Sequence, residues 1–63
     1  MLREDAEVLI SRAVKVFGPV ARKIGEEVLS ETKDVKEFEI KFVDRLGKIT
    51  GNRTLVRNII HGV

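Results

Sequence analysis

The sequence predicts an all-α fold, a compact bundle of three to four short helices at about 3–17, 19–31, 34–50 and 52–61 in a single domain covering residues 1–63. Three observations carry that prediction. Apolar side chains recur at roughly 100° per residue through four consecutive segments, which is the helical period. Between the segments stand Gly18-Pro19, a polar link at 30–33 and Gly51-Asn52, residue types that stop helices and restart them. No run alternates with period two for long enough to make a strand.

In the first segment Ala6, Leu9, Ile10, Ala13, Val14, Val16 and Phe17 fall on one arc. Glu4, Asp5 and Glu7 occupy its first turn, where the helix dipole favours negative charge. Proline then lacks an amide hydrogen and disfavours helical geometry in the residue before it, yet its fixed φ suits the first position of a new helix. Phe17, Gly18 and Pro19 are therefore expected to form a structural corner, with Phe17 and Val20 closing the core around it. The second helix turns Val20, Ala21, Ile24, Val28 and Leu29 inward, and Ala21 and Gly25, four apart, leave room for a close neighbour. Asp34 followed by Glu37 reads as a capping-box start. The third helix should bury Val35, Phe38, Phe42, Val43, Leu46 and Ile49. Two residues break its pattern: Ile40 projects to the polar side and Glu39 falls inside the apolar arc. Gly51 ends that helix in left-handed geometry, and Asn52 caps a fourth that presents Leu55, Val56, Ile59 and Ile60 on one side.

At 63 residues, a chain buries only about 60% of the surface it exposes when unfolded, so its stability margin is thin. That margin, with the broad apolar arc of the first helix, leads to the expectation of a homodimer. Cysteine is absent and His61 is the sole histidine, which removes disulfides, thiolate chemistry and multi-histidine metal sites. No apolar run exceeds three residues, too short for a membrane span, and the acidic start lacks the apolar stretch of a secretion signal. The expectation is a soluble, cytoplasmic protein without membrane partner, cofactor or small-molecule substrate. Abundant Lys, Arg and Glu, no Gln and only two Asn give a thermophile-like composition. Charge is unevenly spread: residues 1–31 carry five basic and six acidic side chains, residues 32–63 seven and four. That asymmetry points to a partner met by the second half.

Catalysis finds no support. Ser11 and Ser30 lack a histidine or acid at a recognisable spacing, Glu26 and Glu27 diverge as neighbours on a helix, and no phosphate-binding glycine loop is present. The chain is read as non-enzymatic. Arg53, Arg57 and His61, at i, i+4 and i+8, form one stripe expected to point away from the core, with Arg45 and Lys48 preceding it. Such a stripe suits an acidic protein surface or phosphates, the arginines through their bidentate fork. A solvated face of an ordinary amphipathic helix has the same pattern. Gly47 and Gly51, four apart, half-match a helix-turn-helix motif in which Thr54, Arg57 and Asn58 would face bases, but Asn52 and Arg57 stand where that motif is apolar.

The segment Leu9 to Arg22, with its core Phe17-Gly18-Pro19-Val20-Ala21-Arg22, resembles a small uncharacterised helical accessory domain found appended to prokaryotic signalling proteins. Val28-Leu29, the run Val35 to Leu46, and Arg53 with Leu55-Val56 extend the similarity over most of the chain. The resemblance implies an accessory or interaction role without chemistry and carries over no site residue. The leading expectation is a non-enzymatic protein–protein interaction module that binds itself, another protein or both. The alternative is a small DNA-binding regulator using the helix-turn-helix-like C-terminal pair, with nucleic acid ranked second as a partner.

Overall fold

Each of the four periodic segments is a helix in the structure, a computed structural model that describes residues 2–62. Helix α1 spans Leu2–Phe17, α2 Pro19–Glu31, α3 Val35–Thr50 and α4 Arg53–His61, with no strand among the described residues. The last two helices start one residue later than the predicted ranges because Asp34 and Asn52 stand outside them as caps. Asp34 Oδ1 accepts from the Glu37 amide at 2.8 Å and Asn52 Oδ1 from the Leu55 amide at 3.0 Å, satisfying donors that the first helical turn leaves open. Glu37 Oε1 reaches back to the Lys33 amide at 3.2 Å, one residue further out than the usual capping box. At the other end of α3, the Gly51 amide donates to the Gly47 carbonyl at 2.8 Å.

The corner between α1 and α2 consumes a single residue. Gly18 has φ +80° and ψ −159°, a combination open essentially only to glycine. Its amide still donates to the Val14 carbonyl at 2.9 Å, while its own carbonyl accepts from the Ala21 amide at 3.1 Å. One helix therefore ends and the next begins without a loop, and Pro19 takes the first helical position.

Helices α1 and α3 touch each other and both neighbours, whereas α2 and α4 do not meet and flank the central pair. The core between them holds Ala6, Ile10 and Ala13 of α1, Ala21 and Val28 of α2, Phe38, Phe42, Val43 and Leu46 of α3, and Val56 and Ile60 of α4. Phe38 and Phe42 lie 5.2 Å apart between ring centroids, tilted by 38°, within the favoured range for aromatic pairs. Thr32 is buried in the α2–α3 link and donates to the Val28 carbonyl at 3.0 Å. No described helix is long and apolar enough to cross a membrane.

Five residues expected on inward faces are exposed instead: Val16, Val20, Val35, Ile49 and Leu55. All five sit in the first or last turn of their helix. Val35 and Ile49 have the angle for burial but lie beyond the reach of the neighbouring helices, whereas Val16, Val20 and Leu55 stand roughly 90–120° round the axis from the buried residues of their helices. Helix α4, at nine residues, is only about 14 Å long and cannot cover the whole of the longer α3. Phe17 is half-buried against the edge of the core rather than placed within it.

A closed ring of four charges joins α1 to α2. Arg3 meets Glu7 at 3.1 Å and Glu26 at 2.9 Å, and Arg22 meets Glu7 at 2.9 Å and Glu26 at 3.7 Å. The hydrogen bond from Arg3, helped by attraction to Arg3 and Arg22, holds the Glu26 carboxyl below its ordinary value against partial desolvation. A hydrogen bond from Arg45 likewise lowers Glu31. A carboxyl lowered on folding adds stability above its unfolded pKa and loses it as pH falls through the folded one. The urea midpoint is therefore expected to be steady above about pH 5 and to decline below it, with a shallower decline in Glu26→Gln, Glu31→Gln. Urea titrations from neutral to strongly acid pH check this; an unchanged acid slope in the double variant would place the acid sensitivity elsewhere.

Candidate protein-interaction groove

Helix α4 is the shortest element and the most strongly divided between apolar and polar sides. Its core contacts are made by Val56 and Ile60, so Arg57 lies roughly 80° round the helix from them rather than opposite. The stripe residues are all exposed, and they run along the seam with α3 rather than on the face opposite the core. Leu55 and Ile59 take the other flank.

Two of the three stripe residues are tied to α3. The Arg53 guanidinium meets Asp44 at 3.3 Å, and its stem lies over Gly47, where a Cβ would stand 2.4 Å from Arg53 Cγ and 3.0 Å from its Cα. Gly47 is thus the small residue that lets α4 start close against α3. His61 Nε2 contacts Glu39 Oε1. This pairing accounts for Glu39, the acid that interrupts the apolar arc of α3. Arg57 has no ion-pair partner among the described residues and remains exposed between the other two.

These side chains frame an open groove of about 360 Å³. Ile40 and Val43 supply its apolar floor, and Lys36, Arg53, Arg57 and His61, with Glu39, form its rim. Ile40, at 61%, is the most exposed large apolar residue among the described residues. Sequence periodicity marks it as a residue out of place; only the seam geometry shows that it and the stripe share one surface. Lys36 and Val43 carried no such signal, being an ordinary surface lysine and an ordinary core valine.

Arg45 and Lys48 do not join this groove. Arg45 reaches across to Glu31 on α2, and that hydrogen bond raises its already very high pKa further. Lys48 pairs with Asp44 at 3.4 Å. Both line a neighbouring depression around the Asp44 carboxylate, shared with Lys41, Arg53 and Ile40, which borders both hollows. The residues considered for base contact, Thr54, Arg57 and Asn58, are all exposed, but the carboxylates of Glu39 and Asp44 stand beside the same helix and oppose a phosphate backbone.

No family model, curated protein or solved structure matches this chain. An aliphatic floor with a cationic rim suits an aliphatic side chain flanked by carboxylates, a combination typical of helical protein surfaces. Arg12, which sequence reasoning did not single out, supports the groove from behind. Its Nη1 donates to the Ile60 carbonyl at 2.8 Å across 48 positions, satisfying one of the acceptors left open at the C-terminal end of α4.

Proposed function

We propose that the protein is a small non-enzymatic helical module for protein–protein interaction, and that it binds through the α3–α4 groove. The observation that carries this reading is the exposed Ile40 beside an arginine, Arg57, that no carboxylate neutralises among the described residues. An exposed aliphatic side chain alone needs no explanation. Its pairing with an uncommitted guanidinium supports a binding role, because arginine is enriched in interfaces and the buried centre of an interface is more apolar than its rim. The resemblance of the Gly18-Pro19 corner to accessory domains of signalling proteins is consistent with such a role.

Photo-crosslinking tests it. With Ile40 replaced by p-benzoylphenylalanine, irradiation in cells is expected to give nuclease-resistant protein adducts that vanish when Arg57→Glu is added. The same photoreactive residue at Val16 should give few. Arg57→Glu itself should shift stability by no more than about 0.5 kcal/mol, as an unpaired surface side chain. Nuclease-sensitive adducts would favour the DNA-binding alternative, and equal labelling at Ile40 and Val16 would remove the groove as a site.

A further inference from the structure

We propose that the groove is filled by a second copy of this chain, which presents the outer face of the first half of its α1. The proposal rests on the groove being a protein-binding surface and names its occupant. On α1, Val8 is 52% exposed, and Glu4 and Asp5 stand four and three residues before it, on the same side of the helix. Neither acid has an ion-pair partner among the described residues, whereas Glu7, turned toward α2, is held by Arg3 and Arg22. The groove offers the converse: Ile40 exposed between Lys36 and Arg57, two cations likewise without a carboxylate partner among the described residues, while Glu39 is engaged by His61.

Each surface thus carries one aliphatic side chain flanked by two uncommitted charges, of opposite sign on the two surfaces. Both are exposed in a single chain, so they do not cover each other within it. The uneven charge of the sequence, acidic in its first half and basic in its second, places both complementary faces on one molecule. Polarity is set as well. Beyond Val8 the outer face of α1 continues into Lys15, so only its first half fits a cationic rim. In a twofold dimer the contact occurs twice, α1 of each copy in the groove of the other. The apolar contact supplies affinity, and the charges set register and encounter rate.

Charge reversal with remixing is the test. One variant carries Glu4→Lys and Asp5→Lys, the other Lys36→Glu and Arg57→Glu. In sedimentation equilibrium the wild type should associate reversibly, and each variant alone should associate at least about tenfold more weakly, since every attractive pair becomes a repulsive one. Mixed in equal amounts, the two variants should restore association close to that of the wild type, because each reversed α1 then meets a reversed groove. If a reversed variant is unfolded by circular dichroism, Glu4→Gln with Asp5→Asn replaces it, with a several-fold loss and a weaker salt dependence expected. A 7.1 kDa species at every concentration up to millimolar overturns the proposal. So does association that neither variant disturbs, or a mixture that stays dissociated. Protein adducts from Ile40 with a strictly monomeric chain would leave the groove as a binding site and reject only the second copy as its occupant.

Discussion

Phe42→Ala is expected to cost about 3–5 kcal/mol. Phe42 is fully buried in α3 and shares a tilted ring contact with Phe38, so its removal loses both transfer energy and a packed aromatic pair. At about 0.05–0.15 kcal/mol per residue a domain of this length holds only about 3–9 kcal/mol in total. The variant should therefore lose a third or more of that total, a fall in the thermal and urea midpoints that circular dichroism would reveal. Phe42→Leu, which keeps most of the volume, should cost clearly less. A loss below about 1 kcal/mol for the alanine variant would mean that α3 settles onto its neighbours far more freely than a packed core permits.

The second large effect joins Ile10 to Gly25. Ile10 is fully buried and lies over the glycine so closely that a Cβ there would stand 2.5 Å from Ile10 Cγ1 and 2.7 Å from Cδ1. Ile10→Ala should cost about 2–5 kcal/mol. Gly25→Ala should cost about 1–3 kcal/mol through overpacking, reduced by up to about 1 kcal/mol of better helix propensity. The double variant removes the atoms that collide and places a methyl group in the vacated space. Its loss should fall short of the sum of the single losses by about 0.5–3 kcal/mol. Strict additivity in denaturant titrations would show that the two side chains do not share that space.

What could be read from the sequence was what the chain decides locally. Asp34, Gly51 and Asn52 act on amides or carbonyls within four residues of themselves, and the Gly18-Pro19 corner follows from the backbone chemistry of two residues. Helix number and boundaries were therefore legible. The depth of burial at helix ends was not, because Val35 and Ile49 have the right angle on α3 and only the lengths of the other helices leave them uncovered. The candidate site was half legible. Ile40 and Glu39 stood out as breaks in a pattern and Arg57 as part of a stripe, but the rotation of α4 that gathers them depends on which of its flanks α3 meets. Arg12 gave no local sign at all, since its acceptor belongs to a different helix at the far end of the chain.

The arrangement in which α2 and α4 never meet bears on how quickly the molecule forms. Most of its interhelical contacts join consecutive helices, and only those of α1 with α3 and α4 bring distant parts of the chain together. Proteins of such low contact order cross their barrier in microseconds to milliseconds. The hairpins α1–α2 and α3–α4 each have a tight, locally encoded corner, so either can serve as the nucleus. Closure of α1 onto α4, sealed by the Arg12 hydrogen bond to Ile60, is then expected to come late in assembly and to give way early. In native-state exchange the amides of α4 should open at lower free energy than those of α1 and α3.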